Sequence, residues 1–196
     1  MSQRPRFRFA ILYALLACLF QVSLVFAQVP ASQKQQLDRQ YQSAVSHYEA
    51  GQYAEAASQL EELLPHAPNS FAIHELMGLV YASLSQNAKA IEHLQTAVRL
   101  EPGSAVARTN LATTLFHAGK SSLAGEQFRK ALELEPRDFD ANHNLGEFYI
   151  QSGKIAEACP KLEEAQRIDP SSYDNSYDLA LAYFLTGRLA EARKLV

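Results

Sequence analysis

Residues 139–172 read FDANHNLGEFYIQSGKIAEACPKLEEAQRIDPSS. In this 34-residue stretch Leu145, Gly146, Tyr149, Gly153, Ala158, Leu162, Ala165 and Pro170 stand at positions 7, 8, 11, 15, 20, 24, 27 and 32. Small residues at 8 and 20 face larger apolar ones at 7, 11 and 24. A Gly divides the stretch near its middle and a Pro stops it near the end. Two amphipathic helices joined by a tight turn satisfy that pattern.

The spacing recurs outward in both directions. Ala56, Ala90, Ala124, Ala158 and Ala192 are each 34 residues apart. So are Pro68, Pro102, Pro136 and Pro170, and so are Leu60, Leu94, Phe128, Leu162 and Val196. Columns that stay in step over 136 residues are not a chance pattern. The repeats run 37–70, 71–104, 105–138, 139–172 and 173–196, the last incomplete. This pattern resembles the tetratricopeptide repeat, a 34-residue helix–turn–helix unit. The resemblance covers everything after residue 36. It implies an all-α, right-handed superhelical solenoid of antiparallel helix pairs, about four and a half repeats long.

Individual columns carry physical expectations. Ala44, Gly78, Ala112, Gly146 and Ala180 at position 8 and the five alanines at position 20 are all small, so the two helices of each repeat can approach closely. Gly51, Gly119, Gly153 and Gly187 suit a left-handed corner between helices. Ser85 takes that place in the second repeat, at a cost of about 1 kcal/mol if the geometry is kept. The prolines end each second helix, and Ser70, Ser104, Asp138 and Ser172 cap the next first helix. Ser43 and His47 depart from the later repeats, as terminal repeats do. Gly125 weakens its helix, and Pro160 is expected in a first turn, where proline is tolerated.

Before the repeats, Arg4, Arg6 and Arg8 precede an uncharged run from Phe9 to Ala27 that ends Val25-Phe26-Ala27. Residues 1–27 read as a secretory signal peptide; an uncleaved N-terminal anchor is the alternative, and Cys18 in Leu-Leu-Ala-Cys offers a poorer lipoprotein cut. Each reading exports the remainder to the periplasm, the cell envelope or the medium, with membrane contact only through residues 1–27 if they stay uncleaved. Residues 28–36 read as a short polar linker or a frayed helix start. Cleavage leaves 15 basic and 21 acidic residues, a charge that argues against nucleic acid as partner. Cys159 is then the only thiol, which suits a buried small side chain.

No catalytic, metal or cofactor signature is present. The six histidines form no i, i+4 pair and read as scattered structural or surface residues. No GxxxxGK[ST], GxGxxG or GxSxG occurs, so the reading is of a non-enzyme without cofactors.

The family resemblance implies that first helices line a concave groove through positions 2, 5, 6, 9, 12 and 13. Asp38, Glu49, Glu75, Asp140, Glu147, Asp174 and Asp178 map there, with no Lys or Arg. That opposes a clamp for a partner's C-terminal carboxylate and favours a neutral or basic protein or peptide. Asn110 and Asn144 hold position 6 in successive repeats, with Gln42 and Asp178 at the ends and Leu76 interrupting. Such a row resembles an asparagine ladder for an extended peptide, although Asn is common at this position whatever is bound. Thr113, Phe116, His143 and Tyr177 complete the candidate groove, and Tyr41, Tyr48 and Phe184 are further aromatics facing it. The expected function is an exported scaffold for protein or peptide binding. The alternatives are the non-catalytic N-terminal part of a larger envelope protein or enzyme, and a self-associating module whose edge is Leu189, Leu195 and Val196.

Overall fold

A computed structural model describes residues 31–195. The signal or anchor reading therefore lies outside the described residues, as does the edge position of Val196. The chain divides into two units after Gln42. In the first, residues 31–42 are one stretch of helix. The second, from Ser43 on, holds the rest of the first repeat and all the later ones.

The helices are α1 (Ala31–Glu49), α2 (Tyr53–Leu63), α3 (Phe71–Ser83), α4 (Asn87–Leu100), α5 (Ala105–His117), α6 (Ser121–Leu134), α7 (Phe139–Gln151), α8 (Ile155–Ile168), α9 (Tyr173–Leu185) and the four-residue α10 (Leu189–Ala192). A single 3-10 turn, Leu64–His66, follows α2. There is no strand among the described residues. The helical start at Ala31 corrects the linker reading for residues 31–36. Gln and Lys are good helix formers, so a polar stretch can extend a helix that apolar packing holds further along.

Each corner forms as the sequence implies. Gly51, Gly119, Gly153 and Gly187 have φ between 73° and 79°, and Ser85 has φ 58°. The four caps accept from the third residue of their helices: Ser70 from Ile73 N–H, Ser104 from Ala107, Asp138 from Ala141 and Ser172 from Asn175. Pro160 differs from expectation. It is the sixth residue of α8, past the first turn, so the Ala156 carbonyl has no helical N–H to accept.

Helices α3 and α4, α5 and α6, and α7 and α8 pack as pairs, and each second helix also packs on the next first helix. The first helices α3, α5, α7 and α9 are neighbours in series. Ala56, Ala90, Ala112, Ala124 and Ala158 are fully buried at the close approaches. A Cβ on Gly78 would lie 2.4 Å from Leu94 Cγ, and one on Gly146 would lie 2.5 Å from Leu162. The middle of the array shares one core, with Leu94, Leu111, Leu115, Phe128, Leu145 and Phe148. A separate cluster of Ala158, Cys159, Leu162, Leu179, Ala182 and Tyr183 joins α8 to α9, with Leu195 packed against it. Leu195 is thus part of the packing, whereas Leu189 is half exposed.

Two polar devices link the helices besides this core. In three repeats position 4 reaches back to the carbonyl of the preceding proline. His74 Nε2 lies 3.0 Å from Pro68 O, Arg108 Nη2 donates to Pro102 O at 2.9 Å, and Asn142 Nδ2 donates to Pro136 O at 3.1 Å. The second device joins a tyrosine at position 11 to a glutamate of the repeat before it. Tyr81 Oη donates to Glu61 at 2.5 Å and Tyr183 Oη to Glu163 at 2.9 Å. A cation stands over each ring, Lys89 Nζ at 4.7 Å from that of Tyr81 and Arg188 Cζ at 4.1 Å from that of Tyr183. Burial and the adjoining carboxylate push the Tyr183 phenol up to about 12.

Candidate functional site: an acidic cleft on the first helices

The first turn of α9 and the middle of α7 face each other because every first helix neighbours the next. Between them lies a cleft of ≈ 310 Å³ lined by His143, Glu147, Asp174, Tyr177 and Asp178. Its lining contains three carboxylates and no Lys or Arg. Tyr177 presents an exposed ring there.

His143 is oriented from behind. Asn175 is fully buried, and its Nδ2 donates to Leu162 O and Gln166 Oε1. Its Oδ1 is left to accept from His143 Nδ1–H at 3.3 Å. The ring also stacks on Phe139, centroids 5.7 Å apart and planes within 7°. Nε2 of His143 then faces Asp178 Oδ2 at 4.0 Å. Asp178 is held above the ordinary carboxylate range, chiefly by burial; His143 opposes the shift, while Glu147 and Asp174 add to it.

The other predicted groove residues separate into three kinds. Asn110 Nδ2 donates to Glu75 Oε1, and Asn144 Nδ2 donates to Thr113 Oγ1, both at 3.5 Å. Each Asn therefore reaches the preceding first helix, a row of inter-repeat contacts. Burial raises the Glu75 carboxyl, and the Asn110 contact partly offsets this. Phe116 belongs to the packing: it meets Phe148 edge-on with centroids 5.2 Å apart and sits against the central core. Asp140 is exposed in the first turn of α7 and outside the cleft lining.

Sequence reasoning missed one pair. His74 on α3 and His93 on α4 approach with Nδ1 atoms 3.0 Å apart. This corrects the reading of scattered histidines for these two. The signal was the column geometry, since Arg108 and Gln127 meet at 3.2 Å at the same two positions one repeat later. Among the described residues no group of three or more His, Cys, Asp or Glu is arranged to hold a metal ion. No helix among them is long and apolar enough to cross a membrane.

Tetratricopeptide-repeat family models match residues 41–105, 105–138, 128–159 and 152–196. No curated protein matches the chain by sequence. Among solved structures, MamA superposes with a TM-score of 0.68 at 25% identity, over 78% of this chain and 89% of that one. PilF of Pseudomonas aeruginosa gives 0.76 at 19% identity, over 84% and 75%. A thermophilic tetratricopeptide-repeat protein of Thermus thermophilus, TTC0263, gives 0.69 at 20% identity, over 81% and 87%.

Proposed function

The chain belongs to the tetratricopeptide-repeat family, an interaction scaffold by fold, and from that premise we propose that it is exported and binds a neutral or basic protein segment through its acidic first-helix face. One observation carries the reading: Glu147, Asp174 and Asp178 converge with His143 and the exposed Tyr177 on one cleft whose lining has no Lys or Arg. A Lys or Arg side chain entering there meets carboxylates at short range and can lie against an aromatic face. The contacts of Asn110 and Asn144 keep adjacent first helices in register, so an extended segment would meet a fixed row of groups. Export rests on Arg4, Arg6 and Arg8 ahead of the uncharged run to Ala27.

Fluorescence anisotropy with labelled Lys-rich and Glu-rich peptides of matched length tests the groove. The basic peptide should bind and lose affinity with salt. Asp178→Asn with Glu147→Gln should weaken it about 10-fold, or about 1.4 kcal/mol. Equal binding of the acidic peptide would defeat the reading. Export is tested by cell fractionation, with the protein expected to remain inside when residues 2–27 are deleted.

A second reading, self-association, draws on the edge at α9 and α10, where Phe184, Leu185 and Leu189 are more than half exposed. Light scattering that finds a monomer at high concentration removes it.

A further inference from the structure

The histidine pair lies outside the acidic cleft, and its geometry fixes how many protons it can hold. His74 is buried. Its Nε2 lies 3.0 Å from the Pro68 carbonyl, which can only accept, so Nε2 carries hydrogen. With both rings neutral, His74 Nδ1 is then a lone pair, and His93 Nδ1–H donates to it across 3.0 Å. One added proton fits on His93 Nε2 without disturbing either hydrogen bond. A second has only His74 Nδ1 to go to, and it would set N–H against N–H.

The surroundings couple this contact to the neighbouring helix. The His93 ring stacks on Tyr81, centroids 5.5 Å apart and planes within 16°, and Tyr81 Oη donates to Glu61 of α2. The groups acting on His93 come from all three helices. Glu61 of α2 and Glu92 of α4 favour a proton there, while His74 of α3 and Lys89 of α4 oppose it. None of the charged groups acting on it lies on α5. Burial is the largest influence and holds the His93 imidazole below its ordinary range. The unfolded chain therefore takes up protons first as pH falls, and the folded state loses stability through the ordinary imidazole range.

We propose that the His74–His93 pair is an acid-sensitive contact at the junction of α2, α3 and α4, intact with one added proton and opened by the second. Its opening removes the stack beneath Tyr81 and loosens α2 from the rest of the array. The next repeat supplies an insensitive version of the same contact, because Arg108 bonds both Pro102 O and Gln127 there.

The test compares the purified full chain with the double variant His74→Arg, His93→Gln, which installs that neighbouring pair. Thermal midpoints are measured at about pH 7.5 and about pH 5. The natural protein should lose about 3 °C or more beyond the loss of the variant. Equal losses overturn the proposal. Should the double variant fail to fold, His93→Gln alone removes the second imidazole and serves the same comparison. In the natural protein, the Cε1–H signal of His93 should move in two steps as pH is lowered, because its ring shares the Nδ1 contact. A single-step curve would overturn the coupling.

Discussion

At the scale of single residues, the backbone corners give the sharpest stability predictions. Ser85 adopts φ 58° where the other corners use Gly at 73–79°. It is exposed, so its side chain contributes little packing to offset the strain. Ser85→Gly should stabilise the protein by about 1 kcal/mol in denaturant unfolding. Two of the buried helical glycines, Gly125 and Gly146, should answer oppositely to Ala. A Cβ on Gly125 would touch the Phe148 ring at 3.4 Å, an ordinary contact, so Gly125→Ala should gain about 0.5–1 kcal/mol. At Gly146 the added carbon would overlap Leu162, and Gly146→Ala should cost about 1–3 kcal/mol. Asp178 carries a different trade. Its carboxyl is raised in the fold, so ionising it opposes folding, and stability is lost as pH rises through that raised value. Asp178→Asn should therefore flatten the stability profile just above the ordinary carboxylate range while weakening a basic ligand. A variant that weakens binding without that change in profile would contradict the burial assignment.

At the scale of helices, legibility depended on where a contact's two residues lie. Contacts within one helix or across one corner follow directly from the 34-residue columns. Ser104 caps Ala107 and Gly119 turns the chain because the needed residue is a few positions away. The contacts that stayed hidden join residues 19 or 20 positions apart. His74 to His93 and Arg108 to Gln127 are 19 apart; Tyr81 to Glu61 and Tyr183 to Glu163 are 20 apart. Their partners differ chemically from repeat to repeat, so no column of identical residues marks them. Phe116 depends on its neighbour too. Its position lies on the first-helix face, and its half-buried ring meets Phe148 of the next first helix edge-on beside the core. The tyrosine contacts predict a measurable asymmetry. Tyr81→Phe and Tyr183→Phe should each cost about 0.5–1.5 kcal/mol. Tyr149→Phe should cost less, since Arg129, not Glu, stands 20 positions before it.

For the molecule as a whole, a stack of repeats has stability that varies along its length. Helices α4 to α7 share one apolar core, while α2 to α3 is bridged by Glu61 and Tyr81, and α8 to α9 by a smaller cluster with Glu163, Tyr183 and Arg188. Native-state hydrogen exchange should find the slowest amides in α4 to α7 and the fastest of the repeats in α10, which has only four helical residues. Uniform protection from α2 to α9 would mean that the array unfolds as one unit. The acidic cleft spans α7 and α9, so it straddles the passage from the protected middle to the lighter end. The buried thiol of Cys159 sits in the smaller cluster between α8 and α9. The residue is only 6% exposed, so a solvent-borne reagent should reach its sulfur mainly when those helices part. Its alkylation rate is therefore a clock for that parting, and a ligand that bridges α7 and α9 should slow the clock without ever touching the cysteine.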